Sequence, residues 1–327
     1  MKNIVIARAP YRIGLLGGGT DIESVYSRHG GATINCAIDK YCYVTTKRHS
    51  PSFNEGFRIN YSKTEVGQDL TDIQNNIIRE TLRYFRVDFP IYVETNGDMP
   101  LRSGLGSSSS FTVALVAALG QLLGIAMGPL ELAETAVHIE VNMVGSPIGK
   151  QDQYAAAFGG LNLYVWHETG EVDIRPISNS GMLRDFFEGL FVIYSNQPRS
   201  ANSVLSEQAD RFELNAEIYK GMRQITLDLY DFVKNKNENS PAGTNRLIKA
   251  LEDSWKLKLS IHENVLGADM KDSYDLLRGD FDFLKVSGAG GGGFFWGYSR
   301  KNNPSPRAGF SPIHVAPSTG VQVVFSE

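Results

Sequence analysis

One segment near the middle of the chain limits the folds that are possible. Residues 107–123, SSSSFTVALVAALGQLL, carry no charge and are apolar almost all round a helix. Such a helix is buried on every side, so the rest of the chain must supply a core around it. The apolar text continues to Leu130, but Gln121, three glycines and Pro129 interrupt it. These interruptions favour a core helix and a turn over a membrane span.

Length and composition are typical of a globular protein with two domains. The chain has 327 residues, 42% of them hydrophobic, and a formal charge of −4 from 32 basic and 36 acidic residues. At about 150 residues per domain, two domains are expected. The polar stretch HETGEVDIRPISNSG suggests a division into residues 1–175 and 176–327. The mild acidity and the lack of a basic run argue against nucleic acid and membrane partners.

Two features of the sequence indicate a cytoplasmic protein. Cys36 and Cys42 lie on one face of strand-like text, too far apart along it to form a disulfide, so we expect both to be reduced. The first residues, MKNIVIARAP, lack the long apolar run of a signal peptide. The sequence leaves the oligomeric state open.

The periodicity changes between the two halves and predicts an α+β fold. The first half alternates strands and helices, with strands over 3–9, 32–47 (around a turn at Asp39-Lys40), 90–94 and 161–166, and helices over 107–123, 129–144 and 146–157. The second half has long amphipathic helices over 201–234 and 245–266, and strands over 191–195, 294–298 and 320–325. No internal repeat is visible.

A glycine- and serine-rich loop, LRSGLGSSSS, leads directly into the buried helix. The first turn of a helix has unbonded N–H groups and a positive dipole end, which suit an anion. Gly104 and Gly106 allow the main chain to approach that anion closely, and the serines add hydroxyl donors or a Mg²⁺ ligand. A simple helix cap would need only one serine. The loop is neither a Walker A loop nor a G-x-S-x-G nucleophile elbow.

Two further glycine-rich segments flank this loop in sequence. The first, residues 14–21, ends in Thr20-Asp21, which is either a helix cap or an acceptor of hydrogen bonds from substrate hydroxyls. The second, KVSGAGGGG at 285–293, contains G-x-G-x-x-G, but strand-like text follows it where a dinucleotide fingerprint needs a helix. We expect this segment to close over phosphates or reacting groups, or to be a plain turn.

Two carboxylates are candidates for metal binding and catalysis. Glu140 lies among Ala, Ile and Val, where a charge is costly unless it is paired or bound to a cation. Asp152 follows closely, with Lys150 near enough in sequence to keep it ionised and to contact a phosphate. Magnesium held by carboxylates and substrate phosphates is usual in phosphoryl transfer. The alternatives are an exposed helix residue for Glu140 and a cap or surface acid for Asp152.

Three motifs of the chain, in their order and spacing, resemble those of the GHMP kinases, a family of small-molecule kinases. They are APYRIGLLGGGTD, LRSGLGSSSS and KVSGAGGGG. The resemblance extends over nearly the whole chain. It implies a two-domain α+β GHMP kinase fold, with an N-terminal domain of the ribosomal S5 domain 2-like type and a ferredoxin-like C-terminal domain. ATP, with Mg²⁺, would bind between the two.

The resemblance also implies roles for the matching residues. The ATP phosphates would contact Gly104, Leu105, Gly106, Ser107, Ser108, Ser109, Gly288 and Gly290. Ser108 and Glu140 would hold Mg²⁺. Asp152 would be the catalytic base or the group that orients the acceptor, and Arg12 would lie near the transferring phosphate, with Lys150 a further catalytic candidate.

Within the family, four segments are similar to those of the heptose kinases: GGGTD, GKQDQYAAAFGG, RSANSVL and SWKLKLSI. These phosphorylate the anomeric hydroxyl of D-glycero-D-manno-heptose 7-phosphate, for nucleotide-activated heptose and surface polysaccharide synthesis. The sugar would contact Gly18, Gly19, Thr20 and Asp21. Charge and nearness to the motifs make Arg199, Lys150 and Arg102 the candidates to contact its phosphate. Two other functions remain open: a kinase for free fucose or galactose, and a catalytically inactive sensor of a sugar or nucleotide. A dinucleotide oxidoreductase is a more distant alternative.

Overall fold

The computed structural model describes residues 2–100, 103–177, 181–197, 213–235, 241–301, 304 and 309–327. Its strands are β1 (Ile4–Leu16), β2 (Gly31–Arg48), β3 (Phe57–Asn60), β4 (Thr64–Gly67), β5 (Ile91–Gly97), β6 (Leu161–Trp166), β7 (Val172–Pro176), β8 (Leu190–Tyr194), β9 (Phe283–Val286), β10 (Phe294–Tyr298), β11 (Ile313–His314) and β12 (Gln322–Ser326). Its α-helices are α1 (Glu23–His29), α2 (Asn76–Tyr84), α3 (Ser107–Leu123), α4 (Pro129–Val137), α5 (Gln151–Phe158), α6 (Gly181–Glu188), α7 (Ala216–Asn235), α8 (Pro241–Ile261) and α9 (Ala268–Leu277).

The helix α3 lies at the centre of the first half, packed against β1 and β2. Its bounds coincide with the predicted helix, and nearly all of its side chains are buried, as its apolar circumference requires. Gly124, at a φ of 77°, ends it in the left-handed conformation that favours glycine. No described helix combines the length and the apolarity needed to cross a membrane.

The larger sheet has eight strands in the order β12-β1-β2-β5-β3-β4, with β6 paired to β2 and β7 paired to β6. The predicted turn at Asp39-Lys40 is wrong, because β2 continues through it. The strand instead changes neighbours there, from β6 over residues 31–36 to β5 over residues 42–48. The Asp39 N–H donates to the Ala316 carbonyl at 2.9 Å, which supplies the hydrogen bond that a turn would otherwise provide.

The smaller sheet has four antiparallel strands in the order β11-β8-β10-β9. Helices α7 and α8 pack against each other, and α8 also contacts β9. The predicted helix over 201–234 corresponds to α7, while residues 201–212 lie outside the described part of the chain. The α+β prediction is confirmed. The last strand, β12, pairs with β1 in the larger sheet, and the division at 175/176 stays a prediction.

The connection from α4 to α5 differs from the predicted pair of helices. After α4, residues 138–143 form a π-helical turn, and α5 begins only at Gln151. Inserted π turns are often found at functional sites, and this one carries Glu140. Both cysteines are buried and free, in agreement with the sequence.

Candidate active site

A cavity of about 580 Å³ lies where the two sheets meet. Its walls come from β1 and the turn after it, the first turn of α3, the π-helical turn, the start of α5, helix α8, and the end of β9 with the glycine turn beyond. Of the residues predicted from sequence, those that line it are Arg12, Gly18, Gly19, Asp21, Gly104, Gly106, Ser107, Ser108, Ser109, Glu140, Asp152 and Gly288.

The loop before α3 presents main chain to this cavity. Gly104 and Gly106 have φ values of 79° and 77°, a conformation that a residue with a side chain rarely adopts. A Cβ at Gly106 would also lie 3.1 Å from Cγ of Arg12. The first N–H groups of α3 have no acceptor within the helix and therefore suit phosphate oxygens. Leu105 is instead buried in the core, outside the cavity lining.

Arg12 and Asp152 form a bidentate ion pair on the cavity wall. The Arg12 Nε donates to Asp152 Oδ1 at 2.7 Å, and Nη2 donates to Oδ2 at 2.6 Å. A third donor, Nη1, reaches the Gly104 carbonyl at 2.8 Å, so the guanidinium connects the carboxylate to the glycine loop. The side chain of Arg12 is 5% exposed and that of Asp152 is 23% exposed. The carboxylate is therefore fixed in orientation but remains open to the cavity.

Glu140 lies beside the start of α3 with both carboxylate oxygens engaged. Ser108 Oγ donates to Oε1 at 2.5 Å, and Gln153 Nε2 donates to Oε2 at 2.6 Å. Burial raises the pKa of Glu140 above its ordinary value, and these two hydrogen bonds oppose the rise.

The same carboxylate and hydroxyl meet the chemical requirement of a Mg²⁺ site. Mg²⁺ prefers one or two protein oxygens and completes its shell with water and substrate phosphates. Ser108 and Glu140 supply such a pair at the phosphate loop. Within the described ranges no cluster of three or more His, Cys, Asp or Glu side chains is placed to hold a metal, so phosphate oxygens would have to supply the remaining ligands.

Asp21 is 1% exposed, beside the start of α5, and main-chain donors hold it. It accepts hydrogen bonds from the N–H groups of Gly19 and Gln151, and from the Gln151 amide, each at 3.0 Å. Burial raises the pKa of Asp21, and the donated N–H groups oppose this. A Cβ at Gly149 would lie only 1.9 Å from Asp21 Oδ2, so this position requires glycine.

Three further predicted site residues, besides Leu105, lie outside the cavity lining. Thr20 is buried, and its hydroxyl donates to the carbonyls of Gly17 at 2.8 Å and Ala32 at 3.0 Å. It holds the glycine turn in place. A Cβ at Gly290 would meet the Val265 carbonyl oxygen at 2.2 Å, which explains glycine there by packing. Lys150 places its Nζ over the Tyr26 ring, 4.6 Å from the centroid.

The prediction that Lys150 accompanies Asp152 is therefore corrected. Arg12, distant in sequence, is the cation that pairs with that carboxylate, because β1 and α5 meet at the cavity. Arg102 and Arg199 lie outside the described residues. Tyr61, which directly follows β3, also lines the cavity.

Two lysines that sequence reasoning did not select line the cavity. Lys258 Nζ donates to the Gly18 carbonyl at 3.3 Å, and Lys285 Nζ donates to the Leu15 carbonyl at 3.1 Å. The pKa of Lys285 is lowered to about 7 by burial and by the neighbouring charges of Lys258 and Arg12. The motifs KLKLS and KVSGAGGGG contain both residues, but nothing in either shows which way a lysine faces.

Comparison with known proteins gives consistent matches. Residues 75–160 match the GHMP kinases N terminal domain. The chain is 30% identical over 304 residues to D-glycero-alpha-D-manno-heptose 7-phosphate kinase of Campylobacter jejuni, covering 88% of this chain and 87% of the relative. It is 29% identical to a galactokinase of Thermotoga maritima, covering 85% and 80%. A crystal structure of a putative sugar kinase from Campylobacter jejuni superposes with a TM-score of 0.77 at 23% identity, covering 98% of each chain.

Proposed function

Because the chain belongs to the GHMP kinase family, whose members use ATP as phosphate donor, we propose that it phosphorylates the anomeric hydroxyl of D-glycero-D-manno-heptose 7-phosphate, yielding the 1,7-bisphosphate. The chain is a sugar kinase of this family. We propose in addition that its acceptor is this heptose, that the anomeric carbon is phosphorylated and that Mg²⁺ is required. The product would serve nucleotide-activated heptose synthesis for surface polysaccharide. The similarity to the Campylobacter heptose kinase supports this acceptor.

The nucleotide end of the site is assigned to the loop before α3. The N–H groups of residues 107–109 would donate to phosphate oxygens, and the helix dipole favours the negative charge. Ser108 and Glu140 would hold Mg²⁺, which neutralises charge on the β- and γ-phosphates when bound. Gly288, across the cavity, would approach the phosphates from the second sheet.

The acceptor end is assigned to Asp152 and Asp21. Asp152 would accept the hydrogen bond of the reacting hydroxyl, and Arg12 fixes the direction in which its oxygens point. An anomeric hydroxyl is more acidic than an ordinary one, so orientation contributes more than proton removal. Asp21 would accept hydrogen bonds from other sugar hydroxyls, beside the main chain of Gly18 and Gly19.

The main support for the proposal is that the Arg12–Asp152 pair and the Ser108–Glu140 pair line the same cavity. A coupled assay of ADP release tests it, with ATP, Mg²⁺ and either heptose 7-phosphate or a panel of free sugars. We expect the phosphosugar to be the preferred acceptor. The similarity to galactokinases favours a free-sugar kinase as second candidate, and preference for galactose or fucose would establish that alternative. ATP binding without turnover of any sugar would indicate the inactive sensor.

A further inference from the structure

The cavity contains positive charge that the proposed mechanism does not use. Among the described residues, the cationic side chains that line it are Arg12, Lys258 and Lys285. Arg12 is committed to Asp152 and to the glycine loop. The two lysines come from different elements, α8 and β9, and both ammonium groups point to carbonyls of the same short segment, residues 15–18.

We propose that Lys258 and Lys285 form the subsite for the phosphate group that the acceptor sugar already carries. Because this subsite presumes a phosphosugar acceptor, it rests on the function proposed above. A phosphate monoester has a charge of about −1.5 to −2 at pH 7 and three strong acceptor oxygens, which two ammonium groups match. An ammonium has three donors, so the bond from Lys285 to the Leu15 carbonyl leaves capacity for ligand oxygens.

The position of Lys258 favours the acceptor phosphate over the phosphates of ATP. Its Nζ lies against the glycine turn at Gly18 and Gly19, where a Cβ at Gly19 would be only 3.5 Å away. That turn also donates to Asp21, which is assigned to the sugar hydroxyls. The ATP phosphates already have the N–H groups at the start of α3.

The electrostatics around Lys285 also call for an anion. The charged groups that act on it are Lys258, from α8, and Arg12, from β1, both of them cations. Across the described part of the chain no carboxylate forms an ion pair with Lys285. A phosphate dianion bound beside Lys285 would therefore favour the charged form of its ammonium group.

The test compares Lys258→Gln and Lys285→Met with the wild-type enzyme on two acceptors, heptose 7-phosphate and the same heptose without phosphate. Lys256→Gln is the matched control, because Lys256 lies on the same helix with a side chain 70% exposed. Losing a hydrogen bond to a charged group should lower kcat/KM for the phosphosugar by about tenfold or more in each variant. We expect kcat/KM for the free heptose, the KM for ATP and the control to be unchanged.

An equal loss on both acceptors, or a raised KM for ATP alone, would overturn the assignment to the acceptor phosphate. Calorimetric titration of heptose 7-phosphate without nucleotide separates the subsite from the reaction. If the wild-type protein binds the phosphosugar, the variants do not, and no turnover occurs, the subsite stands and the proposed function fails. If the wild-type protein turns it over and both variants match it, the function stands and the subsite fails. If the wild-type protein neither binds nor turns over the phosphosugar, both fail.

Discussion

Replacing Asp152 with Asn tests how the Arg12–Asp152 pair serves the reaction. The substitution preserves shape but removes the charge and turns one acceptor oxygen into a donor that faces a guanidinium N–H. Loss of the group that orients and activates the hydroxyl should lower kcat by about 10²- to 10⁴-fold. The KM for ATP should change little, because Arg12 keeps its own hydrogen bond to the Gly104 carbonyl in the loop before α3.

The same substitution should also lower stability. Removing one charge-assisted hydrogen bond costs about 1.5–3 kcal/mol, and the 23% exposure of Asp152 to the cavity favours the lower end of that range. The melting temperature should therefore fall by a few degrees, on the order of 2–4 °C per kcal/mol. Calorimetry and steady-state kinetics on one preparation measure both effects.

Asp275→Asn is the matched control for this experiment. Asp275 forms an ion pair of 2.6 Å with Lys271, but both side chains are largely exposed, so the pair contributes little. We expect unchanged kcat and melting temperature. Near-wild-type kcat in Asp152→Asn would refute the role of Asp152 as the group that positions the acceptor hydroxyl.

Three further substitutions test other parts of the site. Gly149→Ala places a methyl group on Asp21 and should raise the KM for the sugar at least about tenfold while leaving the KM for ATP unchanged, as steady-state kinetics would measure. Ser108→Ala removes a hydrogen bond to Glu140 and should raise the Mg²⁺ concentration for half-maximal activity about 10- to 100-fold in a magnesium titration. Lys285→Met should raise the melting temperature at pH 7, because the pKa of Lys285 is lowered to about 7 in the folded state. Between pH 7 and about 10.5 the unfolded chain therefore binds more protons at this lysine than the folded protein does. The stability of the wild-type protein should rise with pH across this range more than that of the variant.

The parts of the fold that sequence predicts well are those determined by local composition. Helix α3 and the glycine loop before it follow directly from an uncharged segment bounded by glycines. The apparent turn at Asp39-Lys40 shows the limit of this reasoning. Its polar residues occur where β2 exchanges one neighbouring strand for another, and strand pairing is a property of the whole sheet.

The site residues divide in the same way. Glu140 is recognisable because a carboxylate among apolar residues is costly unless it is paired or bound to a cation. Asp152 is recognisable because its position matches the family motif. Nearness in sequence alone suggests Lys150 as the partner of Asp152, whereas the fold brings Arg12 to that carboxylate. Lys258 and Lys285 reach the cavity through the packing of the second sheet and its helices against the first, which no local pattern encodes.

In the proposed reaction, this site transfers the γ-phosphoryl group of ATP to the anomeric oxygen of a phosphosugar. ³¹P NMR of a reaction with heptose 7-phosphate, ATP and Mg²⁺ tests it directly, because a phosphate at the anomeric carbon is identified by its coupling to the anomeric proton. We expect one new sugar phosphate resonance with that coupling, formed in equal amount to ADP, while the 7-phosphate resonance persists. Phosphate at another carbon, or ADP formed with inorganic phosphate alone, would contradict it.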